Sequence, residues 1–252
     1  MVDYFLLSEE QVFGDQKLDI FNKYSVSAKP TDFAKNIGTY VTNDVSNEEL
    51  SDWWLQKDQN KIFCTIVNSK DEQKLCVRRS MDGYGIRPAV KYSDIKPFVK
   101  EKIHITDDNV FEVEFGNYPQ SYVTSETQTM LDTLYMMGNL DRANDNIYKY
   151  NGSYVTKGID NNRWIIFKPI TWIVDQDANI AVSKSILDGG KKSYDQVLSF
   201  LKNDFAKLTI TDEHIIQFSK IKRYNELIRK KAEIEAELKE LDKEIMTLRR
   251  KK

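Results

Sequence analysis

From Thr211 to Lys252 the chain carries neither proline nor glycine, and its apolar residues recur every seven positions. One series is Tyr224, Lys231, Leu238, Ile245, and the other is Leu227, Ile234, Leu241, Leu248. These are the a and d positions of a coiled coil. Lys231 is the one charged member, and a polar residue at a single a position sets register at some cost in stability. Thr211-Asp212-Glu213 offers a cap and an acidic first turn, and Arg249 to Lys252 put positive charge at the other end, as a helix dipole favours. Such a helix draws its stability from packing, so its apolar stripe needs a cover. Self-association is the leading expectation, ahead of a foreign protein and of packing back on the rest of the chain.

The flanking charges bear on pairing. The g positions are Arg223, Lys230, Glu237 and Glu244, and the e positions are Ile228, Glu235, Asp242 and Arg249. In a parallel homodimer Lys230 meets Glu235 and Glu244 meets Arg249, both attractive, whereas Glu237 meets Asp242. An antiparallel arrangement or docking on another protein stays open. Residues 219–252 hold 12 Lys/Arg against 7 Asp/Glu, a local +5 that leaves −7 for the rest of a chain whose total is −2. The plain reading of the basic tail is a solvated helix surface. The alternative is nucleic-acid binding, with Lys220, Lys222, Arg223, Arg229, Lys230 and Lys231 on phosphates. An acidic body disfavours it.

Of the 252 residues, 40% are apolar, enough for a core and too many for a wholly disordered chain. No apolar run approaches the roughly 20 residues that span a bilayer, so no membrane insertion is expected. Met1-Val2-Asp3-Tyr4 lacks the basic and apolar regions of a signal peptide. Two cysteines, Cys64 and Cys76, make no disulfide framework, and the expected compartment is the cytoplasm.

The body, 1–208, reads as loop-rich mixed sheet and helix, an α+β fold. It forms one unit or two, 1–100 and 101–208, with the coiled-coil helix of 211–252 following. Tyr4 to Leu7 is a short strand, and Ser8 caps a helix. Ile62 to Val67 and Leu75 to Val77 are β-branched stretches flanking the polar turn 68–72, which suggests a hairpin. Phe111 to Phe115 alternates apolar and acidic residues, predicting a half-buried strand that ends at Gly116-Asn117-Tyr118-Pro119. Trp164 to Phe167 and Trp172 to Val174 predict a strand pair, and Ile180 to Ser183 follows across a turn. Gln196 to Leu201 predicts a helix burying Val197, Leu198 and Leu201. Residues 91–110 and 138–162 read as connecting or surface segments, the second a candidate functional loop.

Motifs for chemistry are few. His104 and His214 are far apart and form neither HxH nor HExxH, and no CxxC occurs, so no metal is expected. No phosphate-binding glycine motif occurs, so no cofactor is expected; Gly189-Gly190-Lys191-Lys192-Ser193 is the nearest approach, and a plain loop is the favoured reading. No GxSxG elbow is present. Cys64 lies in an apolar strand pattern, where a thiol is usually inert, and Cys76 precedes Arg78 and Arg79. These readings point to binding rather than catalysis.

Trp53-Trp54 is the notable aromatic pair. Neighbours on a strand point to opposite faces, so one of them can anchor a partner while the other enters the core; burial of both is the commoner outcome. In Gly83-Tyr84-Gly85-Ile86-Arg87-Pro88 the proline holds Arg87 extended. An arginine so held ties loops together through its five donors, or contacts a ligand. Trp53, Trp54 and Arg87 are thus the body's candidate partner contacts, and Tyr224, Leu227, Ile234, Leu238, Leu241, Ile245 and Leu248 are the helix interface.

The body resembles a bacterial domain family of unknown function, the DUF6273-like proteins. The likeness rests on Phe5 to Glu10, Ala28 to Ala34, Trp53 to Leu55 and Tyr84 to Val90, then on Val113 to Gln120, then on Pro169 to Asp175 with Ala181 to Asp188. The stretches stand in permuted order, and an added coiled coil follows them. The resemblance implies a C-type-lectin-like scaffold that binds and carries no catalytic assignment. It also implies a bacterial or phage origin, and suggests a modulator of another machine such as a defence nuclease.

Overall fold

The computed structural model describes residues 2–43, 49–57, 63–77, 83–144, 146–158, 162–205 and 209. The whole heptad segment, including Tyr224, Leu227, Ile234, Leu238, Leu241, Ile245 and Leu248, lies outside the described residues, as does His214.

The N-terminal part supplies short elements. β1 (Tyr4–Phe5) leads to α1 (Glu9–Phe13), where Ser8 and Gln11 bond each other's backbone in a capping box. α2 (Ile20–Lys23) and α3 (Asp32–Asn36) follow, then β2 (Thr42–Asn43) paired with β3 (Glu49–Leu50). β4 (Trp53–Trp54), β5 (Cys64–Asn68) and β6 (Gln73–Val77) make a small antiparallel sheet. Its β5–β6 hairpin matches the sequence expectation around the 68–72 turn. β7 (Ala89–Lys91) continues into α4 (Tyr92–Ile95), a 3-10 turn (Lys96–Phe98) and β8 (Lys102–Ile105). The expected connecting segment 91–110 therefore contains regular structure.

Two long strands dominate the rest. β9 (Val110–Tyr122) does not end at Gly116; it runs on through Pro119 and pairs along its length with β13 (Trp164–Asp175). β13 itself is one strand where a strand pair is expected from the sequence. Register shifts at Ile166/Phe167 and Pro169/Thr171 explain this. A bulge admits the extra residue and the missing proline N–H without ending the ladder.

The other edge of β13 is shared. β14 (Ile180–Ser183) takes the inner half, from Trp172 to Asp175, and β12 (Ser153–Lys157) takes the outer half, from Trp164 to Ile166. β7 and β1 extend the sheet from β14, while β11 (Ile147–Tyr150) and β10 (Asp141–Asn144) extend it from β12. The expected loop 138–162 is therefore largely this three-stranded meander. α5 (Ser125–Met136) precedes it, and α6 (Tyr194–Phe200) with a π turn (Leu201–Phe205) closes the described body. In α6, Val197 is buried and Leu198 is exposed, which corrects the expected apolar face.

The inner sheet is apolar on both sides. Phe111, Val113, Trp172 and Val174 meet Tyr4, Tyr118 and Phe205 on one side; Val110, Ile173 and Val182 meet Leu7, Val12, Ile20 and Trp53 on the other. Phe111 to Phe115 is accordingly buried more deeply than a half-buried strand. Glu112 is buried too, its carboxylate receiving Lys184 Nζ at 2.8 and 3.0 Å. A third, small core of Leu131, Val155 and Trp164 holds α5 against the outer strands.

Candidate functional site

The three stretches of the family resemblance converge in space. Tyr84 to Val90 crosses between β4 and the segment 186–188: Trp54 N–H donates to Gly85 O at 3.0 Å, and Ile86 N–H donates to Asp188 O at 2.7 Å. Tyr118, from β9, reaches the same place. Its hydroxyl donates to Asp188 Oδ2 at 2.6 Å. Asp188 Oδ1 receives Gly189 N–H and Lys192 Nζ, each at 2.7 Å. Lys192 also donates to Gly189 O and lies 5.1 Å over the Phe200 ring. A buried carboxylate thus holds three donors, one from β9 and two from its own loop.

The glycines are required by close approach. A Cβ on Gly189 would stand 2.1 Å from Thr39 Oγ1, and Gly190, at φ +78°, would place one 2.4 Å from Ile37 O. The loop expected in the sequence at 189–193 is therefore the tightly packed rim of this clamp.

Arg87 makes the second node. Nε donates to Ser183 O at 2.9 Å and a terminal nitrogen donates to Val26 O at 3.2 Å, while Trp53 Nε1 donates to that same Val26 carbonyl at 3.1 Å. The guanidinium lies 5.1 Å from the Trp53 ring and 5.7 Å from that of Phe21. Burial pushes its pKa down to about 10. Loop-tying, expected from Pro88, is the role these contacts describe.

Trp53, Trp54 and Arg87 are all buried, which corrects their place as partner contacts. Neighbouring strand residues do face opposite ways, but β4 lies between two cores: Trp53 enters one and Trp54 the other. The sequence reading missed the Asp188–Tyr118–Lys192 cluster. Its signal was an aspartate set directly before two glycines, a place where a side chain often bonds local backbone.

The remaining candidates stay apart. Cys64 is buried and Cys76 is exposed on β6; His104 lies on exposed β8. Among the described residues, no group of three or more His, Cys, Asp and Glu is placed to hold a metal ion. Among the described residues, no helix is long and apolar enough to cross a membrane.

Burial also sets a pH response. It raises the pKa of Tyr4 and Tyr194, and raises that of Tyr118 well above the ordinary value, with the Asp188 charge and hydrogen bond adding to the last. A tyrosine whose folded pKa exceeds its unfolded one contributes stability that is complete below about pH 10 and is lost as pH rises above it. Arg87, shifted downward, works in the opposite direction over the same range. We expect the urea midpoint to be level between about pH 8 and 9 and to fall beyond about pH 10, since three phenols outweigh one guanidinium. Tyr118→Phe should flatten part of the fall. A midpoint rising above that pH contradicts the assignment.

The arrangement defines an α+β framework in which buried polar groups tie loops to a central sheet. No family model matches this chain, and neither a curated protein nor a solved structure matches it.

Proposed function

We propose that this protein is a non-enzymatic, cytoplasmic protein–protein interaction module that associates with a second copy of itself through its C-terminal heptad segment. The observation that carries the reading is the seam of Tyr224, Leu227, Ile234, Leu238, Leu241, Ile245 and Leu248 in a stretch free of proline and glycine. Seven apolar or aromatic residues at a and d positions need a partner surface. Two features support it further. The polar groups of the clamp are spent on one another rather than turned toward a substrate: Asp188 is taken up by Tyr118, Gly189 and Lys192. The DUF6273-like resemblance also points toward a binding scaffold rather than a catalyst.

The test is the mass of the full chain in solution by light scattering. The wild type is expected at a multiple of 29.5 kDa. Ile234→Glu/Leu241→Glu, which puts charge on two d positions, is expected at the single-chain mass with unchanged circular dichroism in the sheet region. A wild type already at single-chain mass removes self-association and leaves a foreign protein as the partner.

A further inference from the structure

We infer that β8 is the body's own contribution to pairing: its open edge joins the β8 of a second copy, antiparallel, so that one sheet continues into the next. This rests on the self-association proposed above.

β8 pairs with β9 along one edge, and among the described residues no strand pairs with the other. Unpaired backbone groups on an edge strand are a template for a further strand, which natural proteins usually blunt with charge, proline or cover. β8 is short and carries a register shift between Lys102 and His104, which blunts it in part, but among the described residues no proline or covering element protects it. All four residues are exposed, with Ile103 at 44% and Ile105 at 59%. Its lysine, Lys102, folds back over the Phe111 ring at 3.5 Å.

The apolar surface continues beyond the strand. Phe98 is 45% exposed, with its ring 5.9 Å from that of Phe115. Ile105 stands opposite Phe111 in the ladder, and Phe111 and Phe115 share one face of β9 by strand alternation. Phe98 and Ile105 thus line one edge of one face. The register shift at Ile103 leaves Lys102 and Ile105, opposite Val113 and Phe111, on one face, so a twofold axis between Ile103 and His104 would set Lys102 across from Ile105 and Ile103 across from His104. No like charges would oppose each other, a condition for stable cross-strand pairs.

Where the described chain ends favours a second copy as the occupant. Thr209 is buried beside Gly116, where a Cβ would lie 2.5 Å from its methyl group, so it borders the residue after Phe115. Tyr224, the first seam residue, comes 15 positions later. A link of that length, even with no structure of its own, spans roughly 20–25 Å. Parallel pairing of two seams, in which Lys230 meets Glu235 and Glu244 meets Arg249, starts both links at one place. Two β8 edges so tethered see each other at an effective concentration of about millimolar, enough for a short edge too weak to pair freely.

The experiment uses the full chain with Cys76→Ser and His104→Cys, treated with a short bis-maleimide and read on a denaturing gel beside the solution mass. A covalent dimer is expected. Adding Ile105→Glu should cut the cross-linked fraction at least tenfold while the seam holds the solution mass at that of the dimer. A dimeric mass with no cross-link at position 104 overturns the β8 contact, gives that patch another occupant and leaves the self-association reading standing. A cross-link unchanged by Ile105→Glu also overturns the contact. A single-chain mass overturns both.

Discussion

Replacing Asp188 with alanine lowers the free energy of unfolding by about 3–5 kcal/mol, the usual cost of removing one partner from a buried charged pair. Three donors lose their acceptor at once. The Tyr118 hydroxyl is the most costly of them, because it is fully buried and donates to Asp188 Oδ2. An unpaired buried hydroxyl costs about 1–3 kcal/mol by itself. Lys192 retains some access to water, so its loss is smaller. Asp188→Asn keeps the shape but not the charge, and should fall between wild type and alanine. Tyr118→Phe removes both the donor and its need. The pair Asp188→Ala/Tyr118→Phe should therefore cost less than the sum of the two single changes. Urea midpoints of the wild type and the four variants check this. A strictly additive double variant would mean that the hydroxyl and carboxylate do not depend on each other.

Arg87→Ala is expected to cost a similar amount, about 3–5 kcal/mol, for a different reason. The side chain fills space between Trp53 and Phe21 and satisfies the carbonyls of Ser183 and Val26. Alanine empties that space and leaves the Ser183 carbonyl without the guanidinium. Arg87→Met restores the volume and removes a buried charge that burial already disfavours. It should recover part of the loss, leaving about 1–3 kcal/mol for the unpaired carbonyl. The check is the thermal midpoint of the three proteins side by side. Methionine as damaging as alanine would show that the bulk between the two rings contributes nothing.

Local signals were legible where turn chemistry and side-chain periodicity agreed. The 64–77 hairpin, the Ser8 cap and α6 are of this kind. The long strands were not legible, because Gly116, Pro119 and Pro169 read as stops. In the structure Pro119 and Pro169 pair close to register shifts that absorb them. The meander at 147–157 carried a usable sign that the sequence reading passed over. Asn151 and Gly152 both adopt positive φ, at 47° and 78°, and an Asn-Gly pair between tyrosine-rich stretches is a hairpin signal. Burial of both Trp53 and Trp54 is the commoner expectation, but nothing local shows how it is achieved. It depends on β4 having a core on each side, and that is a property of the assembled fold. The same holds for Tyr118 and Asp188, which are 70 positions apart and are brought together by the assembled fold alone.

The unbroken course of β9 and β13 has a mechanical consequence. Their inner halves belong to the main core, and their outer halves carry the strands and helix of the small third core. The two strands stay paired across this boundary, with register shifts at Ile166/Phe167 and Pro169/Thr171. A pull applied to the outer lobe would travel as tension down both backbones to Phe111 and Val174, loading the ladder from its far end like a pry bar rather than swinging on a hinge.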